Sequence, residues 1–93
     1  MRRRFRRRVT HNFREEYFKP RGIPLNLLQE TTLSFEELEV LRLRYIKKMD
    51  QIQASKRMNI SQSQYQRDLS TALEKITNAL INGDAIRIER EKE

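Results

Sequence analysis

From Phe35 to Ile81 apolar residues recur at a spacing of about 3.6, and three capping side chains divide the stretch into helices. Ser34 with Glu37, Asp50 with Gln53 and Ser61 with Gln64 each set a capping residue three positions before Glu or Gln, a pattern that satisfies two orphan backbone N–H groups reciprocally. Leu33 before the first cap and Leu38 after it are placed to form a hydrophobic staple. The first helix is predicted from about Phe35 to Lys48, burying Leu38, Leu41 and Tyr45, with Val40 and Leu43 widening the stripe. The second, about Gln51 to Met58, offers Ile52, Ala54, Ser55 and Met58 to the core. Asn59 follows it, and Asn tolerates the left-handed conformation of a tight inter-helix turn. The third, about Gln62 to Ile81, turns Tyr65, Leu69, Ala72, Leu73, Ile76, Ala79 and Leu80 inward and ends at Asn82-Gly83.

Outside these helices the pattern is weaker. Phe13, Tyr17, Phe18, Ile23, Leu25, Leu27 and Leu28 are interrupted by Lys19-Pro20-Arg21-Gly22-Ile23-Pro24, which forbids a continuous helix. An extended segment, a turn and a short helix opening at Pro24 are expected. Ala85 to Glu89 alternates apolar and charged residues, as a short strand does. Its partner is either the extended segment near Phe13 to Phe18 or its own copy in a second chain, where Ile86 and Ile88 would suit the shared edge of a homodimer. The expected fold is mainly α: a three-helix, helix-turn-helix core with a short extended N-terminal segment and a short C-terminal strand. Residues 1–12 form an arm, 13–33 the extended segment, turn and short helix, 34–83 the helix-turn-helix domain, and 84–93 the strand and a charged tail.

Charge sharpens this picture. The 93 residues carry a formal charge of +7, and residues 1–22 alone hold nine Lys/Arg against two Glu. Residues 23–93 hold eleven of each sign, so the surplus sits at the N-terminus, in a run containing Arg2, Arg3, Arg4, Arg6, Arg7 and Arg8. Such arms seek polyanions and order against phosphates. No cysteine is present, and His11 is the single histidine, so no metal site and no cofactor are expected. With no stretch of roughly 20 apolar residues the chain has no expected membrane span and is placed in the cytoplasm, on the nucleoid. No nucleophile, base and oxyanion donor can be assembled, so an enzyme is not expected.

A short helix, a turn and a longer helix make the helix-turn-helix plan, whose second helix enters the major groove. At the start of that helix Gln62, Ser63, Gln66 and Arg67 face outward, and Gln and Arg pair with adenine and guanine edges respectively. These four are the candidate base contacts. Solvated helix faces are far commoner than DNA-reading ones, but this one uses Gln where a generic surface uses Glu and Lys, and it shares a chain with an arginine arm. Ser61, Ser70 and the six arginines of the arm are the candidate backbone contacts, while Gln64 is assigned to the cap.

Tyr17-Phe18-Lys19-Pro20, Gly22-Ile23-Pro24-Leu25, Leu33-Ser34 with Glu36-Glu37-Leu38-Glu39 and Leu41-Arg42-Leu43, and Asn82-Gly83 with Ala85-Ile86-Arg87-Ile88-Glu89 closely resemble a family of small prokaryotic proteins. It is described as predicted DNA-binding proteins of unknown function, domain-of-unknown-function family 134, and the resemblance runs from about Tyr17 to Glu89. The family's helix-turn-helix is similar to region four of sigma-70 factors, which implies a promoter-like site or a link to transcription. This chain departs from the pattern at Asn59, where members often have Gly, at Asp68, where an apolar residue is usual, and near Leu73 and Glu74, where arginines occur. These carboxylates make the reading helix less basic than the resemblance implies. The expected function is sequence-specific duplex DNA binding in transcription regulation. The rivals are an RNA- or ribosome-associated protein and an RNA polymerase-binding module.

Overall fold

The computed structural model describes residues 9–90. Its elements are β1 (Glu16–Phe18), a 3-10 turn (Leu25–Leu27), β2 (Glu30–Ser34), α1 (Phe35–Leu41), a π-turn (Arg42–Ile46), α2 (Gln51–Met58), α3 (Gln62–Asn82) and β3 (Ala85–Glu89). The protein is mainly α, with the short N-terminal and C-terminal strands expected from the sequence.

The helix starts lie at the capped positions. Ser34 and Asp50 each form the complete reciprocal box, with Ser34 Oγ accepting from the Glu37 N–H at 3.1 Å and Asp50 Oδ1 from the Gln53 N–H at 2.8 Å. Ser61 completes only half of one: its Oγ accepts from the Gln64 N–H at 3.0 Å, but the Gln64 side chain turns forward along the helix to donate to Asp68 at 2.8 Å. The assignment of Gln64 to the cap is therefore corrected, because a carboxylate one turn on offers its amide a charged acceptor. Between α2 and α3, Asn59 adopts φ 61, ψ 44, its N–H donates to Lys56 O, and the Ile60 N–H donates to Ser55 O at 3.0 Å. That is the Schellman arrangement, which reverses the chain within three residues.

The strand Ala85–Glu89 lies in the middle of a sheet of order β1-β3-β2. β1 pairs with it antiparallel, setting Glu16 opposite Ile88 and Phe18 opposite Ile86. β2 pairs with it in parallel, setting Thr31 opposite Ile86 and Leu33 opposite Ile88. β2 was not expected. Both sides of β3 are occupied, so Ile86 and Ile88 cannot supply a strand edge shared with a second copy, and that expectation is corrected. The short helix at Pro24 is a single 3-10 turn, Leu25–Leu27, since the residues that follow are drawn into β2.

Two apolar clusters flank α3. Val40, Leu43, Ala54, Met58, Tyr65 and Leu69 form one, between its first half and α1 and α2. Leu33, Phe35 and Ile88 form the other, with Val9, Phe13, Leu38, Ile76 and Ile86 packed against them. Leu33 and Leu38 thus share a cluster, as the staple requires. Each large side chain buried here contributes roughly 1.5–3 kcal/mol.

The inward faces differ from expectation on all three helices. α1 buries Phe35, Glu39 and Val40, and Leu43 follows them inside, whereas Leu38 and Leu41 are only half-buried and Tyr45 is 47% exposed. The helix is rotated so that Glu39 lies in its buried stripe, and the π-turn, which takes five residues where an α-turn takes four, swings Tyr45 outward. Ile52 is 49% exposed because the eight-residue α2 buries only Ala54, Ser55 and Met58. Leu73 and Leu80 also face outward, and Ala72 and Ala79 take the close-packed positions beside them.

Candidate nucleic-acid interface

α2 and α3 are held together by small residues and one aromatic anchor. Ala54 and Ser55 are fully covered, and Ser55 Oγ turns back to donate to Ile52 O at 3.0 Å rather than standing in the interface as an unmet hydroxyl. Tyr65 is buried and its hydroxyl donates to Val40 O at 2.7 Å, tying the first turn of α3 to α1. Burial pushes the Tyr65 phenol up to about 12, well above its ordinary value, so it persists as a donor.

With Tyr65, Leu69 and Ala72 buried and Ile76 half-buried, the opposite face of α3 is open. Gln62, Ser63, Gln66 and Arg67 are all exposed, as are Ser61 and Ser70. Their side chains bond along the helix: Gln66 Nε2 donates to Ser70 Oγ at 3.2 Å, Arg67 Nη2 to Gln64 Oε1 at 2.8 Å, and the Ser61 and Ser63 hydroxyls lie 3.4 Å apart. Exposed bonds of this kind exchange readily for bonds to a ligand, since each contributes only about 1 kcal/mol net. Gln51 at the start of α2 donates to the Gln62 carbonyl at 3.4 Å, so the N-termini of the two helices lie side by side. Arg2, Arg3, Arg4, Arg6, Arg7 and Arg8 lie outside the described residues.

Thr10 is fixed by a cluster that the sequence reading missed. Glu39 is fully buried, and its carboxylate accepts from Arg42 Nε at 2.9 Å and Nη2 at 3.1 Å, and from the Thr10 N–H at 3.3 Å and hydroxyl at 3.0 Å. Burial alone would raise its pKa, but the bonds from Arg42 and Thr10, with the Arg42 charge, outweigh burial and hold it below the ordinary carboxylate value. Thr10 Oγ1 also accepts from Arg42 at 3.3 Å and Arg57 at 3.5 Å. Val9 and Thr10 fall within the segment read as arm, yet Val9 packs on the second apolar cluster and Thr10 is pinned to α1.

Charge within the body is segregated. Residues 42–67 carry seven Lys/Arg and one acidic residue, Asp50, although residues 23–93 sum to zero. On the sheet side Arg14 pairs with Glu16, Lys75 with Glu37, and Arg87 with Glu30 and Glu89, while Lys19, Arg21 and Arg90 form no ion pair among the described residues. Among the described residues, Arg44, Lys47, Lys48, Lys56, Arg57 and Arg67 form no ion pair. A running sum of charge along the chain would have found this; the total concealed it.

The family described as "Protein of unknown function DUF134" matches residues 1–92. The chain belongs to this family. Among DUF134 relatives, a UPF0251 protein of Dehalococcoides mccartyi strain BAV1 is 47% identical over 83 residues, covering 89% of this chain and 71% of the relative. One from Methanosarcina mazei is 44% identical over 89 residues, covering 96% of this chain and 54% of the relative. A third, from Syntrophomonas wolfei, is 46% identical over 83 residues, 89% of this chain and 64% of the relative. The chain is thus similar to bacterial and archaeal members, and it spans about half the length of the Methanosarcina one. No solved structure matches it significantly. Among the described residues no helix is long and apolar enough to cross a membrane.

Proposed function

We propose that this DUF134 member binds duplex DNA sequence-specifically as a transcriptional regulator, with α3 as the reading helix. The observation that carries the proposal is the open face at the start of α3: Gln62, Ser63, Gln66 and Arg67 are exposed side by side, directly after a tight left-handed turn, on a helix whose other face is locked by Tyr65. Amides and a guanidinium there match adenine and guanine edges in the major groove. The unpaired cations of residues 42–67 supply a field that attracts phosphates. The arginine arm reaches the backbone or the neighbouring minor groove. The resemblance of the helix-turn-helix to sigma-70 region four favours a promoter-like site, and the place of action is the nucleoid, in the cytoplasm. The protein is a binding protein in this account and not an enzyme.

Selection of bound sequences from random duplex DNA, with structured RNA as competitor at physiological salt, tests the proposal. The expected outcome is an enriched motif of a few base pairs per reading helix. Preference for the RNA, or capture of RNA polymerase by a protein that enriches no DNA motif, would contradict it.

A further inference from the structure

We infer that the turn between the first helix and α2 is a second DNA-contacting site, in which Lys47 and Lys48, on a platform held by Arg44, clamp backbone phosphates beside the groove that α3 reads. This inference rests on the DNA-binding reading and assigns to it residues outside the α3 face and the arm.

The first observation is conformational. Four described residues have positive φ: Gly22, Gly83, Asn59 and Lys48. Three are of types that enter this region at little cost. Lys48, at φ 61, is not, because its Cβ crowds the backbone there. Glycine or asparagine would fit the turn with less strain, and strain held at a residue of defined chemistry marks positions where the side chain matters more than the fold.

The second is rigidity. The Lys47 N–H donates to Arg42 O and the Met49 N–H to Leu43 O, both at 3.0 Å. Arg44 Nη1 donates to Met49 O at 3.1 Å, closing the turn from outside. Two ammonium groups are therefore presented from a braced backbone, which lowers the ordering cost of binding. Both lysines are exposed and, among the described residues, unpaired.

The third is position. Gln51 touches the Gln62 carbonyl at 3.4 Å. Lys48 precedes Gln51 by three residues, so their Cα atoms are at most about 11 Å apart. The major groove is roughly 12 Å wide and is walled by phosphates. The turn leads directly into the helix whose first residue touches the start of α3, so its cations meet such a wall when α3 occupies the floor.

The test is the salt dependence of affinity for the selected duplex and for a random one, comparing the wild-type chain with Lys47→Gln/Lys48→Gly. Glycine suits the positive φ, so the fold is retained; Lys47→Gln/Lys48→Asn is the second variant if it is not. The control is Lys19→Gln/Arg21→Gln, which removes equal charge beside Pro20, a residue that lines a groove with Ala79 and Gly83 at the far end of α3. The expected result is a log–log slope shallower by about 2, with affinity down on the order of ten-fold on both duplexes, motif preference kept, and the control unchanged. An unchanged slope, or equal flattening by the control, overturns the clamp and leaves the α3 reading intact. Absence of salt-dependent duplex binding by the wild-type chain overturns both.

Discussion

The Thr10 hydroxyl donates to Glu39 Oε2 at 3.0 Å, joining residues 29 positions apart. Glu39 is a buried carboxylate that accepts hydrogen bonds from Arg42 and Thr10. Removing one partner of such a group leaves polar atoms unmet, so Glu39→Ala should cost about 3 kcal/mol in urea unfolding. Its folded-state pKa lies below the ordinary value, so its contribution is present above that value and is lost as pH falls through the folded-state pKa. The variant should accordingly lose part of the acid limb of the stability profile. An acid limb like that of the wild type would show that another carboxylate dominates it.

What could be read from the sequence was what is encoded locally. The cap at Asp50, the left-handed Asn59 and the bounds of α2 and α3 depend on residues a few positions apart, and all lie where the pattern puts them. β2 escaped notice because Glu30-Thr31-Thr32-Leu33-Ser34 offers a single large apolar side chain and its partner is over fifty residues away. Glu39 misled the assignment of the first helix for a related reason. A charged residue marks a solvent face in any periodicity argument, and only the distant Thr10 and the neighbouring Arg42 make it an inward one. Of the candidate site, the exposed α3 face was legible; the clustering of cations on Arg44 to Arg57 was hidden by a neutral sum.

Tyr65→Phe should destabilise the protein by about 1–2 kcal/mol, because it leaves the Val40 carbonyl buried without its donor. Tyr65 has its pKa raised from 10.0 to about 12 on folding, so its contribution is intact below the lower value and is lost as pH rises through the upper one. Urea midpoints followed into alkali should fall less steeply in the variant than in the wild type.

Lys48→Gly should raise stability by about 0.5 kcal/mol, the relief of a left-handed lysine exceeding the entropy that glycine loses. Asn59→Val, at the other left-handed site, should lower it by about 1–2 kcal/mol. Thermal melting of both variants checks the pair, and a destabilised Lys48→Gly protein would remove the argument from strain.

Deleting residues 1–8 removes six arginines. If all six neutralise phosphates, the slope of log affinity against log salt should become shallower by about 5. The enriched motif should survive the deletion, since the arm follows the backbone. A salt titration on the selected duplex reads both, and an unchanged slope would place the arm away from DNA.

The affinity of Gln66→Ala and Arg67→Ala for the selected duplex, set against their affinity for random duplex, tests base reading by α3 most directly. Each variant should lose about 1–3 kcal/mol on the selected site and little on the random one. Equal losses on both, or none on either, would mean that these side chains do not read bases.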